Sequence, residues 1–293
     1  MLREASLEAL GYIPPVETTV SAQAGYASRI YQCPPEFDPG WKAISIIPAA
    51  PSATRGGVIL PMEGGRWHVT IVGMAGDYPP TAAPEFSAFA RSLPDPQLYR
   101  AILPAQPLSD IWGARSLDNR LRNYAKLPRY LEGFLVCGDS VYALNPVYAQ
   151  GMTVGAQSAL AIDQCMREQR RAHPNGDLHG LAQRTQLRIG KVVAGPWQLA
   201  TGEDRRWPTT KGAEPLPLPA RLIQQYAGQL LLATLADATV AEVFTRVQHM
   251  IAPPSLFFRP DILLRVLASG RRRRHRVARA LDAGQPETAL GAD

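Results

Sequence analysis

The segment Gly133–Gln164 constrains the fold more than any other part of this 293-residue chain. Its first apolar run, Phe134–Cys137, predicts a buried strand that ends at Gly138. A glycine at the carboxyl end of a buried parallel strand places the next residue at the rim of a sheet, where α/β proteins bind ligands. Asp139 is that residue and could accept hydrogen bonds from ribose hydroxyls. It could equally cap a turn, because aspartate is a common turn residue.

An Asn-Pro pair and a long helix follow this turn. Asn145 and Pro146 predict an extended or turned backbone, since the residue before a proline is kept out of the helical conformation. Gly151 then opens a predicted helix that runs to about Arg170. The first turn of a helix presents unpaired backbone N–H groups and the positive end of the helix dipole. The spacing therefore predicts a site for negative charge, either a phosphate or an anionic ring.

The predicted helix also carries an apolar stripe. Met152, Gly155, Ala159, Ile162 and Met166 recur at helical spacing and predict the packing face. An ordinary core helix has the same periodicity. It does not require the Gly-Asp, Asn-Pro and Gly-Met order that precedes this one.

The remaining chain predicts an α+β fold. β-branched apolar runs between about residues 20 and 76, with a Gly64-Gly65 hairpin turn, predict a largely antiparallel sheet. Pro84 begins a predicted helix with Phe86 and Phe89 on one face. The predicted organisation is a β-rich region, a strand-turn-helix segment, a helical region and a basic tail, at 1–125, 126–175, 176–270 and 271–293.

Composition excludes several classes of function. The formal charge of +6 owes much to Arg271–Arg276 near the C-terminus, where a solvated tail is a better interpretation than a nucleic-acid site, because no aromatic residues interleave with the arginines. No apolar run is long enough to span a membrane, and the N-terminus lacks a signal core. Three scattered cysteines indicate neither a disulfide framework nor a zinc site, and the five histidines lack ligand spacing. A cytoplasmic location is the default expectation.

The segment CGDSVYALNPVYAQGMTVGAQSALAID (137–163) resembles the second flavin-binding motif of the FAD-dependent hydroxylase and epoxidase superfamily typified by para-hydroxybenzoate hydroxylase. The usual form of that motif is Gly-Asp-Ala, a spacer, Asn-Pro, and then Gly-Gln-Gly-Met or Leu opening a helix. GYASRIY, GRWHVTIVGMAGDYPP and GEDRRWP also resemble blocks of actinobacterial monooxygenases that include polyether epoxidases. The resemblance covers most of residues 6–265.

This resemblance implies a set of flavin-contacting residues. Asp139 would bind the ribityl or pyrophosphate part of FAD, Pro146 would lie close to the flavin face, and the N–H groups of Gly151 and Met152 would point toward the N1–C2=O edge of the ring. The positive end of a helix would stabilise the anionic reduced ring there. The full implied set is Gly138, Asp139, Asn145, Pro146, Gln150, Gly151, Met152 and Thr153. The resemblance implies neither a catalytic side chain nor a metal.

Four departures from the family pattern stand out. Ser140 replaces the usual alanine, and Ala149 replaces the first glycine of Gly-Gln-Gly, where a Cβ would strain the turn if φ is positive. No Gly-x-Gly-x-x-Gly phosphate loop occurs in the 293 residues. The family's later Asp-Gly motif is missing as well. We therefore expect the chain to correspond to the C-terminal portion of a longer flavoprotein and to bind FAD weakly by itself.

The sequence leaves three functional hypotheses open. The first is an FAD-dependent monooxygenase that uses NAD(P)H and hydroxylates or epoxidises a small apolar substrate above the sheet of residues 20–76. The second is a truncated or split form that acts with an N-terminal FAD-binding partner fragment, or not at all. The third is a non-catalytic protein that keeps the sheet for a small apolar ligand. GEDRRWP (202–208) could line a substrate funnel or form a salt-bridged surface turn.

Overall fold

The structure is a computed structural model that describes residues 4–35, 37, 40–115, 117–214 and 217–270. The chain forms two compact units, Met1–Ala213 and Glu214–Asp293. The arginine run at 271–276 lies outside the described residues.

The first unit contains a six-stranded antiparallel sheet. Its strands pair in the order β3-β4-β5-β2-β6, and a further strand, β7, pairs with β2 beside β6. Apolar alternating runs form the long central strands, as period-two patterning requires. The strands are β2 (Gly25–Gln32), β3 (Ile44–Ile46), β4 (Arg55–Met62), β5 (Arg66–Gly73), β6 (Gln106–Pro107) and β7 (Trp112–Arg115).

One face of this sheet is covered by two helices, α2 (Ala83–Arg91) and α3 (Gln97–Ile102). Phe86 and Leu98 are fully buried between these helices and the sheet. The sheet contributes a row of fully buried β-branched residues to the same core. These are Ile59, Val69 and Ile71.

The opposite face of the sheet is more open. Register places Ser28 opposite Thr70 and Ile30 opposite His68 on this face. Ser28 and Thr70 share a hydrogen bond of 2.7 Å between their hydroxyls. Trp112 of β7 is 57% exposed.

A second, three-stranded antiparallel sheet has the order β1-β8-β9. Its strands are β1 (Glu17–Val20), β8 (Asn119–Arg122) and β9 (Tyr142–Ala143). The chain then turns through 146–148 into the long helix α4 (Gly151–Ala172), which packs against α5 (Leu181–Asp204). A short helix, α1 (Glu4–Ala9), precedes all of these elements.

The second unit is helical. It contains α6 (Leu218–Ala233), α7 (Ala238–Gln248) and α8 (260–270). Its buried core takes two residues from each helix: Leu230, Ala233, Val240, Val243, Ile262 and Val266. Asp237 caps α7 by accepting hydrogen bonds from the N–H groups of Thr239 and Val240, as an N-cap aspartate does.

The structure confirms the predicted mixed α+β class with its antiparallel sheet. The Gly64-Gly65 hairpin forms, with φ of 74° and 65°, and the helix after Pro84 buries Phe86 and Phe89. The helix predicted to open at Gly151 also does so.

The strand predicted at Phe134–Cys137 is wrong. These residues form no strand, because no neighbouring strand pairs with them in the described residues, and Gln186 of α5 donates a hydrogen bond to the Val136 carbonyl instead. The strand of this segment, β9, comes after the Gly-Asp turn. Cys137, expected to be buried at the strand end, is exposed for the same reason.

The packing face predicted for α4 is also wrong. Met152 is 91% exposed and Met166 is 46% exposed. The helix instead buries the face that carries Val154, Ser158 and Cys165. Periodicity shows that a helix has an apolar stripe, but the packing partners decide which side is covered.

None of the helices in the described part of the chain is long and apolar enough to cross a membrane. Among the same residues, no group of three or more His, Cys, Asp or Glu side chains is placed to hold a metal ion.

Candidate functional site

The start of α4 presents free backbone donors at an accessible surface. No side chain caps this helix, and its first turn contains no acidic residue. Met152 exposes nearly all of its side chain, and an added Cβ at Gly151 would meet no atom within 4 Å. A helix of 22 residues begins here, and no carboxylate in its own first turn compensates the positive end of its dipole. The geometry favours a negatively charged or electron-rich group in front of it.

The Gly-Asp turn lies beside this helix. Gly138–Ser140 forms one 3-10 turn that contacts both α4 and β9. Gly138 has a φ of 59°, a conformation that glycine adopts without strain. Asp139 is exposed, so its carboxylate is accessible to a ligand.

The Asn-Pro loop connects the two features. Asn145 is fully buried, and its side-chain oxygen accepts a hydrogen bond of 3.1 Å from the Val147 N–H. Pro146 is exposed on the outer side of the same loop. The loop thus keeps its polar side chain inward and its pyrrolidine ring outward.

Ala149 sits in the left-handed region, with φ of 54° and ψ of 27°. This is the position where the family motif has glycine. A Cβ in the left-handed region costs about 1 kcal/mol or more. The turn keeps the geometry of the glycine-containing form although this chain carries alanine there.

A buried carboxylate holds the loop from beneath. Asp204, the last residue of α5, is fully buried and accepts hydrogen bonds from Asn119 (2.6 Å) and from the Tyr148 hydroxyl (2.5 Å). The side-chain nitrogen of Asn145 lies 3.5 Å from the same carboxylate. Asn119 also accepts a hydrogen bond of 2.8 Å from the Asn145 N–H. One carboxylate therefore connects β8, the Asn-Pro loop and α5.

An apolar cluster supports the same loop. Trp207, Met74, Ala22 and Ala24 are buried together, and Val147 of the loop packs against them. Val72, which lies on the open face of the six-stranded sheet, packs against this cluster as well. The loop is thereby attached to one end of the open sheet face.

Burial dominates the electrostatics of this network. It raises the pKa of Asp204 to about 6, although the three hydrogen bonds oppose the shift. Among the described residues no cation forms a salt bridge with this carboxylate. Burial, together with the adjacent Asp204 charge, raises the pKa of Tyr148, so that its hydroxyl stays protonated and donates.

The eight residues expected to contact flavin therefore fall into two groups. Asp139, Pro146 and Met152 are exposed, and Gly138, Gly151 and Thr153 are half-buried. Asn145 and Gln150 are buried. The structure places all eight within one continuous turn-loop-helix segment, and their roles in binding stay predictions.

Sequence reasoning missed Asn119, Tyr148 and Asp204. GEDRRWP is more than the salt-bridged surface turn that was expected: Glu203 and Arg206 form a surface ion pair at 2.8 Å, while Asp204 and Trp207 are buried. The signal was the alternation of charged and buried positions at the end of an amphipathic helix. It could not reveal that Asp204 meets a loop about 60 residues earlier.

These residues fit the ring end of a flavin. The accessible N–H groups of α4, the outward Pro146 and the open space at Gly151 are suited to a flat, electron-rich ring. For the pyrophosphate the sequence has no glycine-rich loop, so the fit covers the ring and not the ADP portion.

The chain is similar to one curated protein and to several solved structures. No family model matches the chain. It is 30% identical over 255 residues to protein Rv3254 of Mycobacterium tuberculosis, a match that covers 86% of this chain and 51% of the relative. The chain thus spans about half the length of the curated relative that it matches.

Several solved structures are similar in backbone, among them two flavin-dependent halogenating enzymes. The halogenase CmlS has a TM-score of 0.49 at 11% identity, covering 78% of this chain and 42% of that one. A triple mutant of the brominase Bmp2 has 0.46 at 13%, covering 92% and 60%. The OxyS anhydrotetracycline hydroxylase from Streptomyces rimosus has 0.45 at 11%, covering 83% and 43%. At such scores and identities the similarity carries no argument about function.

We predict that Ala149→Gly either leaves the free energy of unfolding unchanged or raises it by up to about 1 kcal/mol. Relief of the left-handed strain offsets the entropy cost of glycine. Urea denaturation measures the free energy of unfolding. The matched control is Ala156→Gly on the exposed side of α4, which should destabilise by about 1 kcal/mol. Equal destabilisation by both changes would contradict the prediction.

We predict that the stability contributed at Asp204 depends on pH. Its folded pKa of about 6 lies above the ordinary value of 3.8, so the folded state binds the proton more tightly. The free energy of unfolding should rise as pH falls from 7 toward 4, by about 3 kcal/mol over the full range. Subtracting the profile of Asp204→Asn removes the other titrating groups. A difference profile that is flat between pH 4 and 7 would refute the assignment.

Proposed function

We propose that this chain carries the ring-contacting and substrate-facing part of an FAD-dependent monooxygenase of the hydroxylase or epoxidase type. The observation that supports this most is the juxtaposition of three features of the motif: the Gly-Asp turn, the outward Pro146 and the uncapped start of α4. A bound reduced flavin would supply the electrons that activate molecular oxygen, with NAD(P)H as the source of reducing equivalents; one oxygen atom would go to the substrate and the other to water.

Each motif residue has a role in this proposal. The N–H groups of Gly151 and Met152 donate toward the carbonyl edge of the ring and stabilise negative charge there. The Asp139 carboxylate accepts hydrogen bonds from the hydroxyls of the sugar chain. Pro146 provides an apolar surface beside the ring that excludes water.

The open face of the six-stranded sheet is the proposed substrate surface. It is mixed, with Ile30 and Val72 beside the hydrogen-bonded Ser28 and Thr70. Because Val72 and Val147 pack against the same cluster, this face ends next to the Asn-Pro loop. A small apolar substrate lying on the sheet would therefore approach the side of the loop where we place the ring.

The unpartnered stripe of α4 supports a partner that supplies the ADP-binding half of the site. Met152, Ala159 and Met166 have the spacing of a packing face but are exposed. The proposed partner is an α/β module with a glycine-rich phosphate loop, either elsewhere in a longer chain or in a separate polypeptide. The half-length match to the curated relative is consistent with this arrangement.

The alternative is a non-catalytic protein that binds a small apolar ligand without flavin. A groove of about 320 Å³ favours it, lined by Phe37, Trp41, Gln97, Arg100 and Ala101. Phe37 and Trp41 also contact Trp67 edge-on or tilted, at 5.1 and 5.7 Å between ring centroids. Aromatic walls of this kind suit a flat apolar ligand. Flavin binding at α4 separates the two proposals.

We predict weak binding of flavins that does not depend on the ADP portion. Riboflavin and FAD should bind this chain with similar affinity, measured by quenching of flavin fluorescence, because only the ring end is recognised. Met152→Pro removes one N–H at a position where proline is tolerated and should weaken both by about tenfold. Met152→Ala is the matched control and keeps the N–H.

Two results would count against this prediction. No detectable quenching by either flavin would favour the alternative function. An affinity for FAD at least about a hundredfold higher than that for riboflavin would show that the chain binds the ADP portion as well.

We also predict that a glycine-rich-loop module binds the α4 stripe. The part of the mycobacterial relative outside the match serves as the probe in co-purification. Met166→Lys should weaken the complex by at least about tenfold, because it places a charge in an apolar contact. Leu264→Lys, at a similarly exposed position of α8, should not. A complex unaffected by Met166→Lys, or no complex at all, would refute this surface.

A further inference from the structure

We propose that Asp204 is the positioning residue of the flavin-facing loop: its carboxylate is the common acceptor that fixes Asn145–Gly151 against β8 and α5. The role of Asp204 in flavin binding rests on the proposed function, whereas its anchoring of the loop does not. Asp204 lies outside the Gly-Asp and Asn-Pro motif, in a different helix and within the GEDRRWP segment.

The contacts form one connected path. Asp204 fixes Asn119, and Asn119 in turn accepts the backbone N–H of Asn145 at 2.8 Å. On the other side of the loop, the Tyr148 hydroxyl donates to the second carboxylate oxygen. Asn145 and Tyr148 flank Pro146, so the two arms hold the loop before and after the proline.

The described side chains around the Asp204 carboxylate donate hydrogen bonds to it and do not form an ion pair with it. All three side-chain groups that face the carboxylate are donors: the amide nitrogens of Asn119 and Asn145 and the Tyr148 hydroxyl. Thr210 adds a hydrogen bond to the Asp204 backbone carbonyl. If the acceptor is removed, buried donors lose their partner, which is more costly than losing an exposed hydrogen bond.

The surrounding charges do not account for the arrangement. Three charged residues lie near Asp204 in sequence: Glu203 and Arg206 pair with each other at the surface at 2.8 Å, and Arg205 donates a hydrogen bond of 3.3 Å to the Thr201 hydroxyl. Tyr148 is the titratable group in direct contact, and it is held in the protonated, donating form. The position of the loop therefore depends on hydrogen bonding by Asp204 rather than on its net charge.

The consequence concerns the start of α4. Ala149 is in the left-handed conformation directly before the helix, a strained state that persists only when its surroundings fix it. Tyr148 is the residue next to it, and the Asp204 contact fixes Tyr148. We infer that Asp204 keeps the Gly151 and Met152 N–H groups in a single orientation toward the ring.

Hydrogen exchange of the full chain without flavin tests this directly. Asp204→Ala should speed exchange at the amides of Asn145, Val147, Tyr148 and Ala149 by at least about tenfold, with β5 amides unchanged. Asp204→Asn keeps one acceptor oxygen but turns its NH2 group toward a donor, so its acceleration should lie between that of Asp204→Ala and the unmodified chain. Glu203→Ala is the control at the adjacent position and should have no effect.

The outcomes separate positioning from a general structural role. If Asp204→Ala speeds the β5 amides in parallel with the loop, the residue acts only through global stability and the proposal is wrong. Unchanged loop amides would also overturn it. Should Asp204→Ala fail to fold, Tyr148→Phe removes a single donor and should give a smaller acceleration at the same amides.

A second readout connects the result to flavin. Riboflavin affinity should fall at least about fivefold in Asp204→Ala and by a smaller factor in Asp204→Asn. If the unmodified chain binds no flavin, the proposed function fails while the exchange result still decides the positioning role. If flavin binds equally well to all three proteins, the loop is anchored but Asp204 does not position it for the ring, and the inference is refuted.

Discussion

The buried carboxylate of Asp204 is the interaction on which the candidate site depends. It has no cationic partner among the described residues, and its charge is compensated by donors from Asn119, Asn145 and Tyr148. Burying a carboxylate is unfavourable unless hydrogen bonds compensate it, and the raised pKa reflects the remaining cost. An apolar core at this position would avoid the free-energy cost of burying a carboxylate. The network instead joins three elements that are distant in sequence and gives the Asn-Pro loop one conformation.

The candidate site consists of the groups that this anchored loop leaves exposed. With Asn145 held inward, Pro146 faces outward, and the chain enters α4 without a capping side chain. The unpaired N–H groups and the dipole of a long helix remain available to a ligand. The same loop packs on the cluster that ends the open sheet face, so an anion-favouring helix start and a mixed apolar surface lie side by side.

The exposed stripe of α4 shows how one sequence pattern can have two physical meanings. Its spacing is that of a packing face, yet the contacts with α5 and with the Gly138–Ser140 turn cover the neighbouring side of the helix. Similarly, the apolar run Phe134–Cys137 has strand composition, but no strand of the described part of the chain lies beside it to supply hydrogen bonds. Both features are those expected of elements whose partners lie in another module, which agrees with the proposed partner.

The sequence by itself determined the elements whose signals are local. The hairpin at Gly64-Gly65, the helix after Pro84 and the helix opening at Gly151 each depend on a few adjacent residues, and so does the α+β class that they build. The tertiary structure decided which face of α4 is buried, whether Phe134–Cys137 pairs as a strand, and that Asp204 meets Asn119 and Tyr148. Those outcomes depend on contacts between residues 26 to 85 positions apart, which no local pattern encodes.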